Sequence, residues 1–470
     1  MNLKRELSYF DLTNIVIGSI VGSDIYIASA ITAGLIGPFS IIVWLAAGII
    51  AILMALVFAY SSYYVPKVGG SFAFVSKAFD DFYGFLAGWS MWIAEVLSLP
   101  VFAITFTNYL QYFIHLDFLQ EVLVKGLFLF GLTFVNILGV KASGKLNDVL
   151  TLLKLSPLFL LIIVGLMYFV NEPNTFLSNY SPFTPLGIGN FGTALVLIFW
   201  AYAGFELGTL PASEVKDPKR TIPKAIITGI LFVTLFYLAT NFVVYGTINW
   251  TQLTKTSAPL ILVGTALLGS LGAVIMSSGA MLSVSGSDES GILGTARLSY
   301  AMSIDGLFPK IFAKIHPKYG TPYMSLIIQG MIAFVVSIFS GITGLISFSV
   351  FNLAFSFLLT CFSLIILTKN KEKGLPGQNV IPWIGIVVCL YLIYSTSTLD
   401  KIMGSVLISL GIPIYIFFSP KADINHLKRL FISEESIFSR RLERKEKFLA
   451  NFVIWINELY RKLRLLFGRP

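Results

Sequence analysis

The chain has 470 residues, of which 56% are hydrophobic and 12% are charged, and its formal net charge is +9. This composition is typical of a membrane protein with many spans and excludes a water-soluble globular domain. Basic loops and a basic tail account for the positive charge, so we expect no nucleic-acid partner.

Apolar runs of roughly 18 to 25 residues, long enough to cross a bilayer, recur along most of the chain. We predict twelve spans, which begin near residues 11, 40, 82, 122, 147, 191, 223, 270, 322, 345, 380 and 402. Lysine and arginine collect in alternate loops, which predicts that both termini are cytoplasmic and that the protein lies in the cell membrane. We interpret Ala258 to Ser270 as a re-entrant or interfacial helix, because a crossing there would invert the later charge pattern.

The first span contains the sequence IVIGSIVGSDIY (15–26), which is interrupted by glycine, serine and a carboxylate. Glycine and serine are poor helix formers, and a carboxylate is costly in hydrocarbon. We therefore expect the helix to unwind at Gly22-Ser23-Asp24 and to leave backbone groups free for a ligand. Close packing of a neighbouring helix on the small residues is the alternative.

The sixth span is also interrupted, by Gly204, Gly208 and Pro211, and it carries the carboxylate Glu206. Breaks in spans one and six are what two inverted five-helix repeats predict, with the binding site at mid-depth. Unwound half-helices suit an amino acid, because free N–H groups attract a carboxylate and free carbonyls accept hydrogen bonds from an ammonium group.

Three aromatic side chains accompany the second break, namely Phe199, Trp200 and Tyr202. Large rings beside a binding site can cover a ligand and exclude water. Ordinary packing against lipid or the protein core is an equal alternative for each of them.

Four parts of the sequence carry a resemblance to known proteins. They are GSIVGSDIY (18–26), PKVGG (66–70), FWAYAGFE (199–206) with SEVKDPKRTIPKAI (213–226), and ARLSYAMSIDGLFPKIFAKIHPKYGTP (296–322). These stretches resemble the amino acid–polyamine–organocation (APC) superfamily of transporters, from the first span to the tenth. The resemblance implies a LeuT-like, all-α membrane fold of twelve helices, with a 5+5 inverted repeat, broken helices 1 and 6, and alternating access.

The resemblance also implies roles for residues at the two breaks. Ile20, Gly22 and Ser23 would hold the substrate through backbone groups, and Phe199 and Ala203 would supply carbonyl oxygens. These five positions are the implied backbone part of the site.

Side chains complete the implied mechanism. Trp200 resembles the gating aromatic of the family, and Glu206 lies where related transporters have a glutamate at the inner gate. Proton-driven members resemble KLNDVLTLLKLSP (145–157), in which the amine of Lys154 takes the place of a sodium ion. Because a charged lysine is costly in hydrocarbon, Lys154 is a candidate proton carrier; a lysine that reaches the membrane surface is the alternative.

Several carboxylates depart from the family pattern. The family usually has glycine where this chain has Asp24, and Asp288 and Glu289 fall in the eighth span. Glu289 lies near a position that faces the substrate side chain in some relatives, and Glu95 adds an acid to the third span. This excess of acids indicates a cationic ligand, coupled protons or both, although single acids can be neutral and structural.

The predicted organisation has a transmembrane transporter domain at residues 1–420. It contains inverted repeats at about 8–170 and 190–368 and two extra helices at 380–418. Residues 421–470 combine basic residues with a periodic apolar stretch, which predicts an amphipathic tail on the anionic inner leaflet. A docking helix for a partner is the alternative for this tail.

We therefore predict a secondary active transporter that moves amino acids, driven by protons through Lys154. The alternatives are a transporter or exchanger of amines, polyamines or cationic amino acids, with Asp24 and Glu289 binding ammonium groups, and a nutrient sensor without transport. The predicted partners are a small molecule, protons and the lipid bilayer. The spans contain no HExxH motif and no histidine, so we expect no enzyme activity, metal or cofactor.

Overall fold

The protein is described here by a computed structural model, which covers residues 7–209, 215–369 and 375–418, without the side chains of 140–150 and 152. The regular structure of these residues is helical, apart from an isolated bridge between Leu7 and Val215. Nine helical stretches in this part of the chain are long and apolar enough to cross a membrane, and two shorter apolar helices accompany them. The prediction of an all-α membrane protein is confirmed.

The described chain forms sixteen α-helices and three short 3-10 segments. The α-helices are α1 (Tyr9–Ile20), α2 (Asp24–Ile36), α3 (Ser40–Tyr64), α4 (Ser71–Ala78), α5 (Asp81–Leu110), α6 (Phe118–Leu138), α7 (Val140–Asn171), α8 (Pro173–Ser178), α9 (Phe191–Trp200), α10 (Pro218–Thr247), α11 (Trp250–Leu253), α12 (Pro259–Ile304), α13 (Tyr323–Phe339), α14 (Ile342–Thr368), α15 (Ile381–Ser395) and α16 (Thr398–Phe418). The 3-10 segments are Gly37–Phe39, Phe205–Thr209 and Lys310–Ala313.

Polar loop residues determine where several of the long helices begin. Ser8 and Asp11 form a capping box at α1, in which the Ser8 amide donates to the Asp11 carboxylate at 2.8 Å. The side chains of Asp80 and Asp117 cap α5 and α6 by accepting hydrogen bonds from backbone amides of the first turn. Because these amides have no partner within their own helix, the caps define the start of each apolar segment.

The first predicted break is present, shifted by one residue. α1 ends at Ile20, residues 21–23 are not helical, and Asp24 is the first residue of α2. Gly22 is also closely packed, because a Cβ atom there would lie 2.8 Å from the ring of Phe102. The helix therefore breaks at this point, and Gly22 also allows a neighbouring helix to pack closely. Both interpretations of the small residues hold.

The second predicted break is present as well. α9 ends at Trp200, a turn follows, and Phe205–Thr209 forms a 3-10 helix, while Pro211 lies outside the described residues. Gly204 has a φ of 114°, and a Cβ atom there would lie 2.9 Å from the carbonyl oxygen of Ser19. The two breaks are therefore in backbone contact with each other.

The first part of α12 folds back on the rest of the helix. Gly269 has a φ of 63°, and a Cβ atom on Gly272 would lie 2.0 Å from the Gly264 oxygen. Residues eight apart in a straight helix are separated by roughly 12 Å. The segment from Ala258 to Ser270, interpreted from the sequence as re-entrant or interfacial, thus forms an arm that reverses direction.

The helices pack so that both breaks lie inside the largest core. This core includes residues of α1, α2, α3, α9, α10, α14 and α15, and further residues of α5, α7 and α12 belong to it. Large apolar side chains on α6, α15 and α16 remain exposed, as expected of surfaces that contact lipid. The predicted amphipathic tail at residues 421–470 lies outside the described residues.

Candidate functional site

A small cavity lies between the two helix breaks. Ile20 and Asp24 line it from the first break, Trp200 and Ala203 from the second, and Glu95 from α5. Its volume of about 40 Å³ leaves room for only a few water molecules. A ligand of amino acid size therefore needs the surrounding helices to move before it can enter.

The carboxylate of Asp24 binds to the first break itself. The Gly22 amide donates a hydrogen bond to Asp24 Oδ1 at 2.8 Å. The Tyr237 hydroxyl of α10 donates to Asp24 Oδ2 and also lies 3.2 Å from the carbonyl oxygen of Ile20. The Asp24 side chain, which is 3% exposed, thus supplies an acceptor to the start of α2.

The second break repeats this arrangement. The Gly204 amide donates to Glu206 Oε2 at 3.0 Å, and Glu206 is fully buried. In each break, a glycine amide therefore binds the carboxylate two residues further along the chain. The shared pattern is Gly-x-acid, with Gly22 and Asp24 in one break and Gly204 and Glu206 in the other.

This pattern changes the chemistry that the sequence predicts for the cavity. The Gly22 amide, which would be available to the carboxylate of a ligand, is occupied by Asp24. Asp24 and Glu95 both line the cavity, and the described residues around it include no lysine, arginine or histidine. The closed cavity therefore offers carboxyl oxygens as hydrogen-bond acceptors to a ligand.

Trp200 is the aromatic residue of the second break that reaches the cavity. Its Nε1 donates to Ser98 Oγ of α5 at 3.1 Å, and its ring lies 5.8 Å from that of Phe102 between centroids. These contacts fix the indole ring between α5 and the second break. The position is compatible with the predicted gating role.

Lys154 of α7 is fully buried behind the end of α1 and does not reach the membrane surface. Its ammonium group donates to the Gly18 carbonyl and to Ser287 Oγ, which lies 3.1 Å away. Ser287 in turn donates to the Val21 carbonyl at 2.6 Å. Because α1 stops at the break, its last carbonyls have no partner within the helix, and Lys154 and Ser287 supply one.

Comparison with known proteins identifies the family. A family model described as amino acid permease matches residues 7–418. This chain belongs to the amino acid permease family. It is accordingly a multi-pass membrane transport protein of the APC superfamily and not an enzyme.

Three relatives show how far the similarity of this permease extends. The branched-chain amino acid permease BcaP of Bacillus subtilis (strain 168) is 30% identical over 443 residues, covering 89% of this chain and 94% of that protein. The methylthioribose transporter of the same organism is 28% identical over 448 residues, with coverages of 89% and 94%. The serine/threonine exchanger SteT, also from that organism, is 25% identical over 433 residues, with coverages of 88% and 96%.

Several predicted site residues of the permease lie away from the cavity lining. Phe199 packs against Phe357 of α14, and the Tyr202 hydroxyl donates to the Trp44 carbonyl of α3. Gly22 and Ser23 are buried in the first break without lining the cavity. The structure also places Glu289 off the cavity, because the α12 residues that line it are Ser287 and Gly291. Movement of the helices can still bring each of these positions into contact with a ligand.

Three side chains that hold the site together were not predicted from the sequence. Tyr237 binds Asp24, Ser98 binds Trp200, and Ser287 binds Lys154. Each is a hydroxyl in a different helix from its partner, so its own neighbours in the sequence do not reveal the contact. The repeated Gly-x-acid pattern was visible in the sequence and could have predicted the two carboxylate–amide bonds.

Replacing Tyr237 with phenylalanine should destabilise the permease. The Tyr237→Phe variant loses a hydrogen bond to a carboxylate, so we expect the free energy of unfolding to fall by about 1.5–3 kcal/mol. Tyr245→Phe is the matched control, because the Tyr245 hydroxyl is equally buried in α10 but contacts only neutral groups, the Ser29 carbonyl at 2.9 Å and the Thr32 hydroxyl at 3.0 Å. Loss of its donated bond to a neutral acceptor should cost about 0.5–1.5 kcal/mol.

Chemical denaturation of both variants in detergent provides the comparison. A smaller loss of stability for Tyr237→Phe than for Tyr245→Phe would contradict the importance of the Tyr237–Asp24 bond.

Proposed function

We propose that this permease is a secondary active transporter that moves amino acids by alternating access and is coupled to protons through Lys154. The observation that carries the proposal is the closed cavity between two broken helices, with a buried ammonium group bound to the end of one of them. Such breaks allow half-helices to move separately while the site between them stays intact. Relatives named as amino acid permeases and exchangers support the choice of substrate.

We further propose twelve membrane passes in a LeuT-like 5+5 inverted repeat. The first of the nine long apolar stretches, Tyr9–Tyr64, contains two passes joined by a turn, and the shorter helices Tyr323–Phe339 and Ile381–Ser395 add one each. The Gly-x-acid pattern in both breaks supports the repeat, because equivalent positions of two repeats should bond alike. The repeats span about 8–170 and 190–368 and are followed by extra helices at 380–418.

The proposed topology places both termini in the cytoplasm of the cell. The tail at residues 421–470 would lie on the anionic inner leaflet of the cell membrane, where its basic residues face lipid head groups. Exposed lysines and arginines at the start of α10 support this orientation, because positive charge favours the cytoplasmic side.

The proposed substrate contacts follow the backbone of the breaks. Ile20, Gly22 and Ser23 would bind the substrate from the first break, and Phe199 and Ala203 would do so from the second. Movement of the Asp24 carboxylate away from Gly22 would free that amide for the carboxylate of an amino acid.

The proposed gate consists of side chains of the second break. Trp200 lines the cavity, and Glu206 binds the Gly204 amide in the turn that follows. A rotation of the indole away from Ser98 would enlarge the cavity on the side of α5.

A cationic amine or cationic amino acid is the second candidate substrate. The observation that favours it is the bond between Asp24 and the Gly22 amide, which occupies the place of a substrate carboxylate. Asp24 and Glu95 would then bind ammonium groups, and Glu289 would contribute only after a rearrangement of α12.

Uptake into proteoliposomes tests the proposed function. Neutral amino acids, cationic amino acids and diamines should be offered separately, with counterflow as the measure of exchange. Flux of neutral amino acids supports the main proposal, whereas flux of cationic amino acids or diamines alone supports the second candidate. A ligand that shifts the thermal unfolding of the purified protein without any flux would instead indicate a sensor.

Replacing Asp24 with glycine should shift the preference of the permease toward amino acids. The Asp24→Gly variant frees the Gly22 amide and removes a negative charge, so binding of a ligand carboxylate should strengthen roughly tenfold or more. The measurement is competition between an amino acid and its decarboxylated amine in counterflow. Asp288→Asn is a suitable control, because Asp288 is fully buried and does not line the cavity. An unchanged preference in Asp24→Gly would show that Asp24 does not select the substrate.

A further inference from the structure

A serine on the α5 side of the cavity binds the indole of Trp200. Ser98 lines the cavity and is 7% exposed, and its Oγ lies 3.1 Å from Trp200 Nε1. An indole N–H group can only donate a hydrogen bond, so the Ser98 oxygen must be the acceptor. On its cavity side, Ser98 therefore presents a lone pair, which the indole occupies in this structure.

The hydrogen of the Ser98 hydroxyl has acceptors outside the cavity lining. The Ala94 carbonyl oxygen, one turn earlier in α5, lies 3.0 Å from Ser98 Oγ, and Ser349 Oγ of α14 also lies 3.0 Å from it. Neither Ala94 nor Ser349 lines the cavity. Ser349 is fully buried and can donate its own hydrogen to the same Ala94 oxygen at 3.0 Å. Ser98 thus needs a donor from the cavity and no acceptor.

Movement of the indole removes the donor that Ser98 has in the cavity. The hydroxyl groups of Ser98 and Ser349 carry one hydrogen each, so with Ala94 they form two hydrogen bonds whichever way they turn. A ligand group that donates to Ser98 adds a third bond and replaces the one that the indole made. An apolar ligand group of the same size leaves that bond unmade.

The position of Ser98 places this acceptor opposite the two breaks. In the proposed binding mode, backbone groups such as those of Ile20 and Ala203 hold the main chain of the substrate. The side chain of the substrate then points to the walls formed by α5, α12 and α14. The lining residues of these walls are Glu95, Ser98, Leu99, Phe102, Ser287, Gly291 and Leu353. Ser98 is therefore a hydrogen-bond acceptor beside the apolar side chains of Leu99 and Phe102.

We propose that Ser98 is a specificity-determining residue, which accepts a hydrogen bond from the side chain of an amino acid substrate and favours side chains with a hydroxyl group. The substrate hydroxyl takes the place of the indole N–H on Ser98 when the cavity opens. This inference rests on the proposed transport of amino acids. Threonine and valine are the matched ligands, because they share their main-chain groups and nearly their shape and differ in the hydroxyl group.

Counterflow of labelled threonine and labelled valine, measured separately in proteoliposomes with the full-length protein, tests the proposal. We expect the wild-type protein to prefer threonine in kcat/KM. Ser98→Ala should lower the ratio of threonine to valine roughly threefold to tenfold, as expected for loss of one neutral hydrogen bond. Ser98→Cys should lower the same ratio, because sulfur is a weak acceptor. Each variant alone can reveal the change, so the test survives if one of them does not fold.

Ser90→Ala is the matched control for a hydroxyl that joins α5 to α14. Ser90 is fully buried, donates to the Asn352 carbonyl at 2.9 Å and does not line the cavity. Its replacement should leave the ratio of threonine to valine at the wild-type value.

The ratio separates substrate selection from the contact between Ser98 and Trp200. Loss of that contact, or of a bond to the substrate ammonium group, changes the exchange of threonine and valine alike. Equal changes for both amino acids in the Ser98 variants would therefore overturn the proposal while transport itself persists. If no amino acid exchanges in the wild-type protein, the proposed function fails and this inference fails with it.

Discussion

Proteoliposomes that contain the Lys154→Gln variant should no longer accumulate substrate when a pH gradient is the only driving force. One coupled proton and one pH unit allow roughly tenfold accumulation in the wild-type protein, because one unit is worth about 1.4 kcal/mol. The variant should stop at equal concentrations on both sides. Glutamine can still donate to the Gly18 carbonyl, but it cannot gain or lose a proton.

Counterflow separates loss of coupling from loss of folding in this experiment. Exchange of labelled for unlabelled substrate needs no pH gradient, so the Lys154→Gln variant should retain it. Lys125→Gln is the matched control, because Lys125 is also a buried lysine, 8% exposed, but pairs with Glu121 of α6 at 3.7 Å. Accumulation in Lys154→Gln that equals the wild-type level would remove Lys154 from proton coupling.

The contacts of Lys154 support its proposed role in proton coupling. It binds the last turn of α1, and the same turn is followed by the break that carries Asp24. A neutral amine attracts the Gly18 carbonyl less strongly than an ammonium group does. Loss of the proton should therefore loosen the end of α1 and favour the movement that opens the cavity.

The sequence predicted both helix breaks because the signals are local. Glycine, serine and carboxylates within an apolar run oppose a continuous membrane helix wherever the run lies in the fold. Lys154 was predictable for the same reason, since a lysine far from either end of an apolar segment needs partners. The partners themselves depend on how the helices pack, because Tyr237 lies 213 positions from Asp24 and Ser287 lies 133 positions from Lys154.

The direction of side chains explains why only some of the predicted site residues line the closed cavity. Successive residues of a helix point about 100° apart, so Phe199 cannot share the direction of Trp200. The same rotation places Ser287 and Gly291 of α12 at the cavity and turns Glu289 away. A sequence alignment that is uncertain by one residue is therefore enough to assign the wrong side chain to a helical binding site.

Replacing Gly204 with alanine should abolish transport, because the two breaks touch at this residue. The Cβ atom of alanine would lie 2.9 Å from the Ser19 oxygen and 3.0 Å from the Ser19 carbonyl carbon, and both are backbone atoms. The φ of 114° adds backbone strain, which costs about 1–3 kcal/mol for a residue with a side chain. Both effects should push the breaks apart and disrupt the cavity that they enclose.

Two control variants distinguish contact between the breaks from backbone strain alone. Gly187→Ala has a positive φ of 68° but no atom within 4 Å of the new Cβ, so it should lower stability without abolishing counterflow. Gly291→Ala adds a Cβ at the cavity, 3.5 Å from Leu99, with an ordinary contact and no positive φ. Counterflow in Gly204→Ala at the level of these controls would mean that the breaks can separate without loss of the site. If only Gly204→Ala loses exchange while its thermal unfolding remains cooperative, the backbone contact between the breaks is what keeps the transport site assembled.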